Sequence, residues 1–340
     1  MNIIITVCLL VFAASYLLTG IIRRYAINQR LMDIPNARSS HVVATPRGGG
    51  LAVVIVFLSG IGGLALTYSP EFNPAFIPIL ILAGTLVAGI GFWDDHRPLS
   101  AKWRFLVHFL AGTGALLYLP ELPVIHFFSF ALKSQVVLFL LYVLMLVWIL
   151  NLYNFMDGID GIAAVEALTT AGSAVLLLWF QGQIDWVLIP LLLLVSVSGF
   201  LVWNWPPAKI FMGDACSGFL GFVLGLLAIM TSINGALNIW CWWILLAVFI
   251  VDATTTLIIR MLRGEIWHQA HRSHAYQILS RRLASHKKVT LGVLLINIFW
   301  LLPLAYLTLK VEVWAPLICL LAMTPLFFLA YTAGAGTTND

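Results

Sequence analysis

The sequence predicts an all-α integral membrane protein, a polytopic bundle of about eleven transmembrane helices. Composition is the first observation behind this: 61% of the 340 residues are hydrophobic, 9% are charged and the mean hydropathy is +1.00, far outside the range of soluble domains. The second is a series of apolar runs able to cross about 30 Å of hydrocarbon. They begin near Asn2, Leu51, Ala75, Phe105, Val136, Ile162, Trp186, Cys216, Ile239, Val289 and Trp314. The third is charge placement. With the N-terminus outside, 16 of the 18 Lys and Arg residues fall on the inner side and only Lys133 and Lys310 outside, which the positive-inside rule reads as an orientation. The N-terminus is therefore expected in the periplasm and the C-terminus in the cytoplasm.

The first run has no basic segment before it and Arg23-Arg24 after it, the pattern of a retained helix rather than a cleaved signal. The longest polar stretches, about 23–50 and 260–288, are too short to bury a core of their own, so residues 1–340 are expected to form one membrane domain that ends in spans over 289–332. Cys8, Cys216, Cys241 and Cys319 lie in or beside apolar runs without metal-ligand spacing. Neither a disulfide nor a zinc site is expected.

On this topology Asp33, Asp94, Asp95, Asp157, Asp160, Asp214 and Asp252 all lie at or near the inner face. Acids contribute little to orientation, so the asymmetry points to a cation-binding site facing the cytoplasm. Asp94-Asp95 close the third run; adjacent carboxylates repel unless a cation is near, and a divalent ion or Lys102 would satisfy them, while a solvated helix end is the plain alternative. In NLYNFMDGIDG, polar residues recur at 151, 154, 157 and 160. Each step of three falls about 60° short of a helical turn, so one straight helix cannot converge all four. A break at Gly158 and Gly161 would aim both pairs at one pocket; an ordinary Asp/Gly turn would explain the glycines alone.

Further along, WNWPPAKIFMGDACSG sets Asp214 in a Gly-flanked turn that opens the eighth run. It could hold a metal against a phosphate or simply cap the helix. Asn204 and Phe211 could contact a base, or Phe211 could anchor the interface. Asp252, Thr256 and Arg260 share one face of the ninth run; an intramembrane acid is a functional candidate, with pairing to another helix as the alternative. Glu166 reads as structural. His268, His271 and His274 sit in a basic loop that suits phosphate better than zinc. The first inner loop joins His41 and Arg47 to Gly48-Gly49-Gly50, where backbone can approach an anion or the loop can lie on anionic lipid.

Together WDDHRPLSAK, NLYNFMDGIDG, FMGDACSG and HRSH, in this order at inner membrane edges, resemble the polyprenyl-phosphate N-acetylhexosamine-1-phosphate transferase superfamily over about residues 38–277. The resemblance implies a bacterial inner-membrane enzyme that moves an N-acetylhexosamine-1-phosphate from a UDP-sugar to undecaprenyl phosphate and releases UMP, with Mg²⁺, or Mn²⁺ in its place. By motif position, Asp94 and Asp95 would be catalytic and Asp214 the metal ligand. Asn151, Asn154, Asp157, Asp160, Asn204 and Phe211 would line the nucleotide site, and Arg47, Lys102, His271 and His274 would meet phosphates, with Asp252, Arg260 and His41 as further candidates. The sequences HRSHAYQ and TPRGGG favour the branch that starts surface polysaccharides such as O-antigen over the muropeptide-transferring branch. Besides its two substrates the chain would contact only membrane lipids and no nucleic acid; a homodimer stays open. An ion- or proton-coupled transporter also places acids in membranes, but at the midplane, whereas six of the seven inner acids sit at run ends and no inverted repeat is visible.

Overall fold

A computed structural model describes residues 2–35, 43–67, 76–97, 99–265 and 271–337. His41 and His268 lie outside the described residues. All eleven apolar runs are helical. The chain begins with α1 (Asn2–Asn28), α2 (Leu51–Thr67), α3 (Phe76–His96) and α4 (Ala101–Leu117), followed by α5 (Gln135–Met156), α6 (Ile162–Phe180), α7 (Ile184–Asn204) and α8 (Asp214–Ile233). The ninth run is broken into α9 (Ile239–Leu245) and α10 (Ala247–Leu262), bent by 76°. A short α11 (Ala275–Arg282) precedes α12 (His286–Ile296), which continues through a π turn at Asn297–Leu301 into α13 (Leu302–Lys310); α14 (Ala315–Ala333) ends the described chain.

Eight of these segments are long and apolar enough to cross a membrane, or nine if the bent α9–α10 pair is one span. The second and fourth runs give 17-residue helices, about 25 Å long at 1.5 Å per residue and so short of a full hydrocarbon core. The all-α expectation also needs amending. Met32–Asp33 (β1) pairs antiparallel with Thr45–Pro46 (β2), and Ile125–Phe127 (β3) pairs with Phe130–Leu132 (β4) as a hairpin. Both are two-stranded ribbons in the connections between helices.

The bundle is organised around α8. Seventeen of its twenty residues are buried, and it packs on α3 and α5, while α7 is held between α1, α2 and α6. Glycines permit the closest crossings: a Cβ on Gly221 would lie 2.7 Å from the Ile149 carbonyl oxygen, and one on Gly199 would lie 2.6 Å from that of Phe12. The outer helices keep large apolar side chains exposed, such as Leu9 at 64% and Leu82 at 76%, as lipid-facing surfaces do. These packings bring the C-terminal ends of α3 and α5 and the N-terminal end of α8 to one end of the bundle.

Candidate active site

The end of α3 meets the start of α8 because Gly91 has no side chain: a Cβ there would fall 2.4 Å from the Asp214 carbonyl oxygen. This contact decides what the two adjacent acids do. Asp95 is 6% exposed; its Oδ1 accepts from the Asp214 N–H and its Oδ2 from the Ala215 N–H, each at 3.1 Å. It thus caps α8 from another helix, a role that a residue just before the helix usually fills. That local position is Gly213, at φ +85°, where a Cβ would stand 2.8 Å from Asp95 Oδ2. Asp94 turns the other way. Its Oδ1 accepts from the Leu99 N–H at 2.6 Å and its Oδ2 from Arg104 Nη1 at 2.7 Å.

Arg104 also reaches Asp214 Oδ2 at 3.5 Å, and so bridges the acids of α3 and α8. Lys102 was the basic neighbour expected for this pair; it is exposed on the first turn of α4, and Arg104, two residues on and rotated by about 200°, takes the position. Asp214 is the accessible member of the set, its side chain 37% exposed, with Asp94, Asp95 and Asn154 around it.

The break predicted within NLYNFMDGIDG is present. Helix α5 stops at Met156, Asp157 leaves the helical region at φ −85°, ψ 53°, and Gly161 at φ +76° opens α6. The Tyr153 hydroxyl spans the turn by donating to the Ala163 carbonyl at 3.1 Å. The four polar residues are nevertheless divided among different tasks. Asn154 donates to Ser217 Oγ at 3.0 Å on α8, and Asn151 donates to the Val147 carbonyl and faces His108. Burial and the nearby carboxylates of Asp214, Asp95 and Asp160 push the Asp157 carboxyl well above its ordinary range. Asp160 is anchored elsewhere: its Oδ2 accepts from the Ala208 N–H at 3.0 Å, and His286 Nδ1 stands 3.2 Å from its Oδ1.

The loop between α7 and α8, which contains a cis Pro206–Pro207 bond, is pinned to this turn. Buried Asn204 accepts from the Gly161 N–H at 3.1 Å and donates to the Ile210 carbonyl at 2.9 Å. Phe211 is part-exposed; its N–H donates to the Pro46 carbonyl and its own carbonyl accepts from Gly49. The Gly48–Gly50 segment therefore lies against the 210–216 segment. A Cβ on Gly50 would be 2.3 Å from Cys216 Cβ, and one on Gly49 would be 2.9 Å from Ile210, so these two glycines serve a protein contact, while Gly48, at φ +90°, faces open space. Arg47 donates to the Asp95 carbonyl.

Asp252 repeats the device of Asp95. Its Oδ1 accepts from Ala275 and its Oδ2 from Tyr276, each N–H at 2.9 Å, which caps α11; His274 Nδ1 and the Thr256 hydroxyl lie 3.3 and 3.2 Å from Oδ1. Arg260 pairs with Glu265 at 2.8 Å. His271 stacks on His274 with ring centroids 4.8 Å apart; burial first, then the charges of His274 and Arg260, lower its pKa to about 3. It is an uncharged group at neutral pH. The Tyr276 hydroxyl donates to the Phe155 carbonyl at 2.9 Å, which ties the HRSH segment to the end of α5.

Residues 77–232 match glycosyl transferase family 4, a region that holds Asp94, Asp95, Asp157, Asp160 and Asp214. The decaprenyl-phosphate N-acetylglucosaminephosphotransferase of Mycolicibacterium smegmatis is 30% identical over 311 residues, covering 83% of this chain and 76% of that protein. The chain belongs to the polyprenyl-phosphate hexosamine-1-phosphate transferase superfamily. Within this superfamily it is also similar to a probable undecaprenyl-phosphate N-acetylglucosaminyl 1-phosphate transferase of Bacillus subtilis, 27% identical over 83% of this chain and 78% of the relative. A phospho-N-acetylmuramoyl-pentapeptide-transferase of Shouchella clausii is 27% identical over 80% of this chain and 88% of its own length.

Beside the acids this superfamily member has a cavity of about 400 Å³ between α3, α4, α5, α8 and α10. Arg104, Asn154 and Asp214 contribute to its wall, as do His108 and Asn151; the remainder is mainly apolar, and Leu144, Phe155 and Phe105 at its wall are 55%, 47% and 36% exposed. Sequence reasoning missed Arg104, His108 and His286 as site residues. Among the described residues no three His, Cys, Asp or Glu side chains are grouped closely enough to cage a metal by themselves.

Proposed function

We propose that the protein transfers an N-acetylhexosamine-1-phosphate, or a deoxy derivative, from a UDP-sugar to undecaprenyl phosphate on the cytoplasmic face of a bacterial inner membrane. The N-terminus would be periplasmic and the product would start a surface polysaccharide such as O-antigen. One observation carries the reading: Asp214 and Arg104, the latter paired with Asp94, lie in the wall of a cavity whose lining is mainly apolar. A lipid phosphate is polar and apolar in that arrangement.

In the reaction an acceptor phosphate oxygen attacks the β-phosphorus of the donor, a new P–O bond forms, and the bond from β-phosphorus to the bridging oxygen breaks, so that UMP leaves with that oxygen. Asp214, with Asp157 and Asp94 near it, offers hard oxygen donors. Mg²⁺ is generally held by one or two carboxylates together with phosphates and water, so these residues fit it without a complete protein cage, and Mn²⁺ suits the same donors. When bound, the ion would offset negative charge on the pyrophosphate. Arg104 orients Asp94 and Asp214 and presents a cation toward the acceptor. Asp94 is assigned to the chemistry, and Asp95 to positioning, since the latter is occupied in fixing the start of α8. The helix starts of α8 and α11, which are otherwise suited to a phosphate, are capped by protein carboxylates. Phosphate binding is therefore assigned to side chains and the metal: Arg104 joins Arg47, Lys102, His271 and His274 as candidates. Phe211, part-exposed beside the Gly48–Gly50 segment, is assigned to the uracil.

Donor labelled in its β-phosphate tests this. Label should pass into an organic-extractable lipid with release of UMP; release of UDP, or label that crosses a vesicle with no lipid product, would refute it. A panel of UDP-N-acetylhexosamines in the same assay identifies the sugar and separates the polysaccharide branch from the muropeptide branch.

A further inference from the structure

His108 takes no part in the chemistry above, yet it stands in the cavity wall. It lies on α4 one turn beyond Arg104, about 6 Å further along the helix axis. The side chain is 8% exposed, it faces Asn151 of α5, and its buried Nδ1 has no hydrogen-bond partner. Phe105, Phe109, Val147 and Leu150 line the same cavity. An incompletely paired imidazole among such side chains is unfavourable, and a leucine or phenylalanine would fill that wall better. Arg104, His108 and Asn151 together form a polar strip that leads from the carboxylates into apolar space.

A ligand matched to that strip carries an anionic, multiply accepting head on an apolar body. We propose that His108 is a positioning residue for the acceptor, donating an imidazole N–H to one oxygen of the lipid phosphate monoester while Arg104 takes another. The sealed Nδ1 cannot be reached from the cavity, so Nε2–H is the donor to the phosphate; an imidazole that donates from one nitrogen accepts at the other, and the second amide hydrogen of Asn151, whose first goes to the Val147 carbonyl, can turn to Nδ1 as the ligand binds. The inference rests on the reading under Proposed function and adds the residue that sets the depth of the phosphate in the cavity.

The test uses the full chain in nanodiscs, with equilibrium binding of undecaprenyl phosphate and of undecaprenol measured without donor. Wild type should bind the phosphate at least tenfold more tightly than the alcohol. His108→Leu, and His108→Phe as a second apolar replacement should the first melt early, should shrink that ratio at least fivefold. In turnover assays the KM for undecaprenyl phosphate should rise by a similar factor while the KM for the UDP-sugar stays within twofold, and His108→Gln, which keeps a donor and an acceptor, should recover the acceptor KM to within threefold of wild type. A ratio that survives both apolar variants, or a change confined to the donor KM, overturns the role of His108 alone. Equal binding of phosphate and alcohol by wild type overturns the acceptor reading beneath it.

Discussion

Asp95→Asn and Asp94→Asn should separate although the residues are neighbours. Asp95 receives two main-chain N–H groups from the first turn of α8 in a nearly closed site. A carboxamide keeps one accepting oxygen and turns an NH₂ group toward the other donor. One hydrogen bond to a charged group contributes about 1.5–3 kcal/mol, and the negative charge at a helix N-terminus adds about 0.3–1 kcal/mol. The loss should therefore be about 2–4 kcal/mol. With an unfolding entropy of about 2.1 cal/mol/K per residue, a chain of 340 residues should melt about 3–6 °C lower. Asp94 pairs with Arg104, their side chains 10% and 34% exposed; the arginine end is open to screening, for which about 0–1 kcal/mol applies, and a carboxamide oxygen can still accept from Arg104 or Leu99, so Asp94→Asn should melt within about 1.5 °C of wild type. Both variants should lose turnover, Asp94→Asn without the stability change. Thermal melts in one detergent at fixed pH, paired with UMP release, measure this. Asp95→Asn melting with wild type, or Asp94→Asn falling equally far, would refute remote capping.

Four further outcomes are expected. Asp214→Asn should lower kcat at least about 10²-fold with an unchanged melt, and a chelator should stop wild-type UMP release until Mg²⁺ is restored; full activity in either case would place the metal elsewhere or remove it. Reporter fusions after Glu121 and Lys288 should report outside and inside, and the reverse would move the site to the other face. His271 has a folded pKa near 3 against 6.5 when unfolded, so the unfolded chain takes up the proton first as pH falls. Stability should then be lost progressively below pH 6.5 down to about 3, and His271→Gln should flatten part of that acid limb in melts taken across the range. Gly50→Ala, which must fit a methyl group 2.3 Å from Cys216 Cβ, should destabilise by about 1–3 kcal/mol as overpacked cores do; an unchanged melt would mean that the segment yields freely.

The helices were legible because lipid demands long apolar stretches, and the break before α6 because three-residue spacing conflicts with a 3.6-residue turn. What remained hidden depends on partners distant in sequence. Whether Lys102 or Arg104 meets Asp94 depends on the rotation of α4 against α3, which local pattern does not specify. Gly49 and Gly50 look like a loop for an anion until Ile210 and Cys216, about 160 residues away, are seen against them. Asp252 reads as an intramembrane acid, and its buried pairing was one of the alternatives. That the partner is the start of α11 appears only when the chain folds back across the intervening loop.

The 76° bend between α9 and α10 has a bearing on traffic. A straight helix over 239–262 would be about 36 Å long and would run alongside its neighbours. Instead α10 is angled, and its Leu257 lines the cavity together with Leu144, Phe155 and Phe105, three side chains that are also exposed on the bundle surface. Extracting a polyprenyl tail into water would cost about 0.8 kcal/mol for each buried CH₂, which no catalytic cycle could repeat. If the proposed function holds, a cavity that opens between these exposed apolar side chains would spare that step, with carrier and product moving within the plane of the bilayer. Under the proposed function, throughput then follows the surface density of the carrier.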